Sequence, residues 1–206
     1  MTLEGSEGVG KTTQVARLSA ALNERGVAHV TTREPGGTPL AESIRQVVLT
    51  AGVEALSPTA ELLLMFAARA VHLDNAIRPA LQAGRWVICD RFSDATYAYQ
   101  GAGRGVAVSL IDALAESVHG RCWPVRTLLL DLPVEDGLAR ARARGAADRF
   151  EAERLEFFER VRGEYRRRAE RDPGRIRLID ARPDAQVVAA AALAAITDLL
   201  PGTPPA

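Results

Sequence analysis

The segment from Gly5 to Thr12 carries the clearest chemical signature in the chain. It reads G-S-E-G-V-G-K-T, a full match to the pattern G-x-x-x-x-G-K-[ST]. Glycines let successive backbone N–H groups point inward, and the start of the helix predicted to follow adds positive potential. The segment predicts a polyphosphate-binding loop in which Lys11 reaches the β- and γ-phosphates and the Thr12 hydroxyl ligates Mg²⁺. The alternative is a glycine-rich turn with a solvated lysine.

Lys11 is also the only lysine in the chain. The other 25 of its 26 basic residues are arginine. A guanidinium group is a wide planar fork, whereas an ammonium group is a compact charge on a flexible stem. The single lysine therefore indicates a site that is too narrow for an arginine.

Charged residues lie at the ends of three predicted strands. The apolar residues Val87-Ile88-Cys89 are followed by Asp90 and Arg91. The Asp90 carboxylate suits the magnesium ion of a bound nucleotide, and the Arg91 guanidinium group suits a phosphate. Arg33 precedes Glu34-Pro35-Gly36-Gly37, a sharp turn with an accessible backbone. Asp131 ends another strand without an arginine. For both aspartates the alternative is a residue that only caps a turn, and this alternative is the stronger one for Asp131.

Arginines cluster in the segment A-R-A-R-A-R-G-A-A-D-R-F-E. Arg140 and Arg144 share one helix face and Arg142 points away, while Gly145 ends the helix. One interpretation is a lid over about 140–152 whose arginines close on transferring phosphates. The other is a solvated charge run. Acidic flanking residues disfavour a nucleic-acid surface.

Alternating strands and helices must position these groups. Apolar strands separated by helices predict an α/β fold, a parallel sheet covered on both faces, with ligands beyond the carboxyl ends of its strands. The strands are predicted at Thr2–Glu4, Val27–Thr32, Trp86–Asp90, Thr127–Asp131 and Arg175–Ile179. The helices are predicted at Lys11–Arg25, Pro39–Thr50, Thr59–Ala83, Ala107–His119, Val134–Arg144, Ala152–Arg171 and Asp184–Leu200. We expect one domain over residues 1–200 and a disordered tail over 201–206. Because the first strand is short, we favour the hypothesis that the natural start lies upstream of Met1.

The composition excludes several classes of function. The 206 residues carry zero formal net charge and are 47% hydrophobic, so no general basic field exists for nucleic acid or a membrane surface. The longest apolar run, Val187 to Ile196, is too short to span a bilayer. Two cysteines at no ligand spacing argue against a disulfide scaffold or a zinc module. We therefore expect a cytoplasmic protein with no nucleic-acid or membrane partner.

Five motifs in order resemble the nucleoside-monophosphate kinases, most closely the bacterial thymidylate kinase family. They are LEGSEGVGKTT, TREPGGT, LLLMFAAR, CDRFSDATYAYQGAGRG and RARARGAADRFE, and the resemblance spans nearly the whole chain. It implies a P-loop NTPase-type three-layer fold, a five-stranded parallel sheet flanked by helices with an arginine-rich lid, in a homodimer. The implied reaction moves the γ-phosphoryl group of ATP onto dTMP with Mg²⁺, giving dTDP and ADP.

The resemblance also implies roles for individual residues. Glu7 would accept a hydrogen bond from the sugar 3′-hydroxyl group of dTMP, and Asp90 would orient magnesium, partly through water. Arg149, with Arg144 behind it, would be the lid charge nearest the transferring group. ATP would contact the loop, namely Gly5, Ser6, Glu7, Gly8, Val9, Gly10, Lys11, Thr12 and Thr13. Lys11, Asp90, Arg91 and Arg149 would form the catalytic set.

The acceptor nucleotide would meet a second set of residues. Arg45 and Arg91 would hold its phosphate with Arg33 nearby, and Arg69 would lie beside a thymine carbonyl. Thr96 and Gln100 would read the base edge, because a carboxamide offers one donor and one acceptor. The family's stacking aromatic falls at Met65, so either Phe66 stacks after a small helix rotation or the Met65 thioether packs on the ring. Core packing remains the alternative for both residues.

Two rival classes of function share the glycine-rich loop. A P-loop nucleoside or nucleoside-monophosphate kinase with a different acceptor is the nearer one. A regulatory GTPase-type switch needs an Asn-Lys-x-Asp guanine reader, which a chain with its only lysine at position 11 cannot contain.

Overall fold

Five parallel strands form the sheet that carries the candidate site. In the computed structural model, which describes residues 1–50, 55–143, 149–150 and 153–200, the strand order is β2-β3-β1-β4-β5. The strands are β1 (Thr2–Glu4), β2 (His29–Arg33), β3 (Trp86–Asp90), β4 (Thr127–Asp131) and β5 (Ile176–Asp180). The predicted parallel sheet is confirmed.

Helices cover both faces of this sheet. They are α1 (Lys11–Glu24), α2 (Pro39–Leu49), α3 (Pro58–His72), α4 (Arg78–Gln82), α5 (Ser93–Thr96), α6 (Val108–Val118), α7 (Val134–Arg142), α8 (Leu155–Arg171) and α9 (Ala185–Ala194). Two π-helical segments, Leu73–Ile77 and Tyr97–Gly103, continue α3 and α5, and Thr197–Leu199 forms a 3₁₀ turn. None of the helices in the described ranges is long and apolar enough to cross a membrane.

The short central strand is buried because its neighbours pair with it on both sides. Thr2 lies opposite Cys89 of β3 and Thr127 of β4. On one face Leu3, Ile88 and Leu128 pack with side chains of α1 and α9. On the other face Phe158, Val161 and Tyr165 of α8 pack in a second cluster with Leu129. Burial of each large apolar side chain contributes roughly 1.5–3 kcal/mol, which holds β1 in place despite its length.

Most predicted element ends lie within two residues of the observed ones, and the differences have local causes. β2 begins at His29 because the Val27 N–H donates to Leu22 O and closes the turn after α1. β5 begins at Ile176, directly after a turn in which the Arg175 and Ile176 N–H groups both donate to Asp172 O. The predicted ends at Arg144 and Ala152, much of the 140–152 segment, and the 201–206 tail lie outside the described residues.

The helix predicted over Thr59–Ala83 is observed as one continuous helical stretch, in which α3, a π-helical segment and α4 follow one another without a break. The π-helical segment lies just before Pro79, which has no N–H to donate to the preceding turn. One predicted helix end was wrong. The helix predicted to end at Leu200 stops at Ala194, and the 3₁₀ turn follows after Ile196. In addition, the helical stretch Ser93–Gly103 was not predicted, since its glycines and polar residues show no helical periodicity.

Candidate active site

A cavity of about 210 Å³ lies at the carboxyl ends of β1, β2 and β3. Arg33 and Asp90 are the paired last residues of β2 and β3, and Asp90 also pairs with Leu3 of β1. The cavity brings together many residues predicted for the site: Glu7, Gly8, Gly10, Lys11, Thr12, Arg33, Arg45, Met65, Asp90, Arg91 and Gln100. It does not include Gly5, Ser6, Val9, Thr13, Phe66, Arg69, Thr96 or Arg149.

The glycine-rich loop owes its path to left-handed backbone and close packing. Gly5, Gly8 and Gly10 have φ values of 134°, 71° and 92°. A Cβ at Gly5 would lie 2.4 Å from the oxygen of Leu130. Glycine is therefore required where the loop leaves β1 and passes over β4.

Lys11 closes this loop over the cavity. Its Nζ donates to Gly5 O at 3.0 Å and to Ser6 O at 2.8 Å. Burial, followed by the nearby charge of Arg91, lowers the pKa of Lys11 to about 8. A polyphosphate in the cavity would offset both effects, since it supplies negative charge where the ammonium group is short of it.

A close backbone contact couples α7 to the loop. A Cβ at Gly8 would lie 1.9 Å from Gly137 O, and a Cβ at Gly137 would lie 2.5 Å from Glu7 O. Neither obstacle is the end of a flexible side chain, so neither glycine can be enlarged without moving backbone. The absence of a side chain at Gly137 thus allows the backbone of the glycine-rich loop to pack directly against α7.

Substituting Gly137 with alanine is expected to raise the Kd for inorganic triphosphate about tenfold, because the new methyl group pushes Glu7 and its peptide toward the cavity. Isothermal titration would measure this. Gly163→Ala on α8 is the matched control, since its Cβ would meet only the Arg167 side chain at 3.7 Å. That variant should keep the Kd and gain up to about 1 kcal/mol of helix stability. An unchanged Kd in Gly137→Ala would contradict the coupling.

Arg91 is held in an unusual backbone conformation with its guanidinium group fixed. Among the described residues, Arg91 is the one non-glycine residue with a positive φ, which is 70°. This conformation costs roughly 1–2 kcal/mol for an L-residue. NH1 donates to Gly5 O at 2.9 Å and to the Tyr165 hydroxyl at 3.2 Å, and NH2 donates to Glu7 Oε1 at 2.9 Å. The fork is therefore pre-positioned at the cavity wall beside the glycine-rich loop.

Tyr99 is a site residue that the sequence reasoning missed. Its hydroxyl lies 2.8 Å from Glu7 Oε1 and 2.6 Å from Oε2, and its ring faces the guanidinium of Arg91 at 4.7 Å. Burial raises the pKa of Tyr99 well above its usual value, so it stays a donor. Its position next to Gln100 in the Y-A-Y-Q segment is the only signal in the sequence.

The residues predicted to contact the base lie at different depths from the cavity. Gln100 lines the cavity, whereas Arg69 is buried behind it, with Nε donating to Glu34 Oε2 at 2.7 Å and NH2 to Thr96 Oγ1 at 3.0 Å. Arg69 NH1 is buried without a partner among the described residues. A ligand carbonyl is one group that would satisfy it.

The two candidates for packing on the base face different ways. Met65 lies in the cavity wall. Phe66 packs with Leu62, Tyr97 and Ile111 in a separate core cluster, and the Arg69 guanidinium lies 4.9 Å from its ring. This geometry favours Met65 as the side chain that contacts a ligand in the cavity.

The arginines of the predicted lid make contacts away from the cavity. Arg149 donates from Nε to Val48 O at 2.8 Å and pairs through NH2 with Glu61, and Arg144 lies outside the described residues. Arg140 NH1 donates to Ala181 O at 3.1 Å, which ties α7 to the segment after β5. Asp131 pairs with Arg162 of α8 at 2.7 Å, in keeping with a structural role.

Glu4 is a buried carboxyl group beneath the site that no sequence pattern pointed to. Its Oε1 accepts from the Phe92 N–H at 2.7 Å and its Oε2 from the Tyr165 hydroxyl at 2.7 Å. Burial, with a further contribution from Asp94, raises the pKa of Glu4 to about 8. In the folded protein this shift favours the protonated form of Glu4.

Glu4→Gln is expected to flatten the dependence of stability on pH. In the unfolded chain Glu4 ionises near its ordinary pKa, so the wild type loses on the order of 1 kcal/mol of unfolding free energy per pH unit as pH rises from about 5 to 8. Above pH 8 this loss is complete. Urea unfolding of both proteins at each pH would measure the difference. Asp180→Asn, a change at an exposed carboxylate, is the control and should keep the wild-type slope. Equal slopes in wild type and Glu4→Gln would contradict the assignment.

Comparison with known proteins agrees with this geometry. The family model described as thymidylate kinase matches residues 3–192. Thymidylate kinases of Pseudomonas putida (strain W619) and Pseudomonas entomophila (strain L48) are 54% and 57% identical over 202 residues, covering 98% of this chain and 96% and 94% of theirs. A crystal structure of thymidylate kinase from Ehrlichia chaffeensis is similar with a TM-score of 0.76 and 34% identity, covering 95% of this chain and 96% of that one. The chain belongs to the thymidylate kinase family.

Proposed function

We propose that the cavity at the ends of β1–β3 is where ATP and dTMP meet for direct, in-line phosphoryl transfer. ATP-dependent phosphorylation of dTMP to dTDP is the activity of this family. The observation that carries the proposal is the convergence of Lys11, Arg91 and Glu7 on one cavity. Lys11 and Arg91 are two cations beside the glycine-rich loop, as two phosphate-bearing substrates require. The Glu7 carboxylate can accept a hydrogen bond from a sugar hydroxyl group.

ATP lies with its phosphates on the glycine-rich loop. The inward N–H groups from Gly5 to Thr13 and the start of α1 provide positive potential, and Lys11 leaves its two carbonyl partners to reach the β- and γ-phosphates. Lys11 is suited to this exchange because, among the described residues, its ammonium group bonds only to neutral carbonyl oxygens. A phosphate oxygen would accept a stronger hydrogen bond, because it carries a negative charge.

dTMP lies across the other half of the cavity. The phosphate is held by Arg91 and Arg45, with Arg33 at the rim, and its sugar hydroxyl group by Glu7, which Tyr99 and Arg91 orient. Gln100 reads the base edge and Met65 packs on the ring. Arg69 lies behind the cavity wall and contacts the base through its guanidinium group, which Thr96 holds by accepting a hydrogen bond from NH2.

The residues present suit magnesium. Mg²⁺ takes oxygen ligands and is usually bound by one or two protein groups together with substrate phosphates. Thr12 and Asp90 offer such oxygens at the cavity, and the described residues contain no cluster of three His, Cys, Asp or Glu that would form a cage. Thr12 would hold the ion directly and Asp90 partly through water. When bound, the ion neutralises charge on the β- and γ-phosphates.

The transfer itself needs positioning and charge rather than a general base. The acceptor phosphate oxygen is already ionised at neutral pH, so no proton must be removed from it. Lys11 and Arg91 face the charge that develops between the two nucleotides. Arg149, with Arg144, joins them when the segment over about 140–152 closes as a lid, which requires Arg149 to leave Glu61.

We further propose a homodimer of single-domain chains, spanning residues 1–200, that works in the cytoplasm. Exposed apolar side chains on the adjacent helices α3 and α6 support the dimer, since Leu63 is 50% and Val108 56% exposed. The two free thiols, Cys89 and Cys122, suit a reducing compartment. Sedimentation equilibrium of the wild type and Leu63→Glu would test the dimer, and a monomeric wild type would contradict it.

A coupled ADP-release assay with ATP tests the assignment. The panel contains the four common deoxynucleoside monophosphates, dUMP and thymidine, each with and without Mg²⁺. We expect the highest kcat/KM for dTMP and no turnover when Mg²⁺ is chelated. Preference for thymidine or for another monophosphate would instead identify a related kinase with a different acceptor.

A further inference from the structure

Only one half of the Gln100 amide has a hydrogen-bond partner among the described residues. It lies in the π-helical segment Tyr97–Gly103 and is fully buried, yet it lines the cavity wall. Its Nε2 donates to Glu61 Oε1 at 2.7 Å. Its carbonyl Oε1 is buried without a hydrogen-bond partner anywhere in the described part of the chain. A buried acceptor left unsatisfied at a ligand cavity indicates a group that the ligand itself satisfies.

Glu61 determines which half that is. It lies on α3 with 1% of its side chain exposed, and its second oxygen contacts the guanidinium groups of Arg149 and, at 3.3 Å, Arg104. A carboxylate between two guanidinium groups is an acceptor only. The NH₂ half of the Gln100 amide must therefore face Glu61, because a flipped amide would set two acceptors against each other inside the protein.

We propose that Glu61 is a specificity-determining positioning residue, which locks the Gln100 amide so that the cavity accepts only a nucleobase with a ring N–H. Thymine carries such a donor at N3. Cytosine carries a lone pair at the same position, which would face the Gln100 carbonyl oxygen. The inference rests on the proposed function, in which Gln100 reads the base, and deepens it by naming the residue that sets the reader.

Glu61→Gln tests this lock. A carboxamide at position 61 can donate as well as accept, so the Gln100 amide becomes free to flip and offer its NH₂ group to cytosine N3. The readout is the ratio of the inhibition constant of dCMP, competing with dTMP, to the KM for dTMP. We expect this ratio to fall at least tenfold in Glu61→Gln. Glu61→Met, which removes the acceptor without burying a new donor, should lower it as well and serves if Glu61→Gln does not fold.

Three further variants separate a lock from a merely structural role. Arg104→Lys disturbs the other side of Glu61 without touching Gln100 and should keep the wild-type ratio. In Glu61→Asp the shorter carboxylate is still an acceptor only. We therefore expect the KM for dTMP to rise, because the contact with Gln100 lengthens, while the ratio stays at its wild-type value. Glu61→Gln combined with Gln100→Glu should restore the ratio, because one oxygen of the new carboxylate at position 100 accepts from the new amide at position 61 while the other oxygen faces the base.

The outcomes distinguish the inference from the function on which it rests. If Gln100→Ala raises the KM for dTMP while Glu61→Gln and Glu61→Met keep the wild-type ratio, the lock is disproved and the base reader stands. The lock is also disproved if the ratio of the dCMP inhibition constant to the dTMP KM falls as far in Glu61→Asp as in Glu61→Gln. If Gln100→Ala leaves the KM for dTMP unchanged, Gln100 does not read the base, and both the inference and that part of the proposed function fail.

Discussion

Replacing Lys11 with alanine is expected to lower kcat about 10³-fold while leaving the fold intact. Lys11 is the only ammonium side chain in the sequence, and its Nζ bonds to nothing in the described structure except the carbonyl oxygens of Gly5 and Ser6. Its loss therefore removes the charge that we propose faces the transferring phosphoryl group, without breaking an ion pair among the described residues. Single-turnover kinetics and thermal unfolding would measure the two effects separately.

Two comparisons make the Lys11 prediction specific. Arg25→Ala removes a cation from the end of the same helix, where NH1 donates only to Ala21 O, and should leave kcat within about twofold. Lys11→Arg should be nearly as poor as alanine, because the planar fork does not fit between the two carbonyl groups and the phosphates. Binding of dTMP should survive in both Lys11 variants. Near-normal turnover by Lys11→Ala would remove Lys11 from the site.

Strands β3 and β4 were predictable from sequence because each is a short apolar run that ends in a charged residue. Trp86–Asp90 and Thr127–Asp131 were predicted with their observed bounds, since both are flanked by turn residues and buried along most of their length. The Ser93–Gly103 helical stretch was not, because its burial comes from tertiary contacts with α8 rather than from a periodic pattern. Its π-helical part carries Tyr99 and Gln100.

The candidate site was predictable only where a motif fixes a residue type. The glycine-rich loop and the Asp90–Arg91 pair were readable, since their chemistry depends on backbone shape and local sequence. Glu4, Glu61 and Tyr99 were missed because each acts through a partner more than thirty residues away in the chain. No local spacing encodes a contact of that kind.

Arg91→Ala is the second large expected effect, a loss of about 10³-fold in kcat/KM for dTMP. The variant loses the guanidinium group that we propose holds the acceptor phosphate and, with it, the hydrogen bond from Arg91 NH2 to Glu7. ATP binding should change by less than about threefold, because Lys11 and the loop backbone remain. Isothermal titration with each nucleotide separately, followed by steady-state kinetics, would measure this asymmetry.

The backbone at position 91 supplies the controls. An alanine there keeps the φ of 70° and its strain but loses the three hydrogen bonds, so we expect about 1–3 kcal/mol of destabilisation that thermal unfolding can detect. Arg91→Lys keeps a charge without the fork and should recover part of the dTMP affinity. Arg85→Ala, an exposed position before the start of β3, should change neither binding nor stability. We expect Lys11→Ala to spare dTMP binding and Arg91→Ala to spare ATP binding. Equal loss of both nucleotides in Arg91→Ala would instead show that Arg91 holds the loop rather than the acceptor.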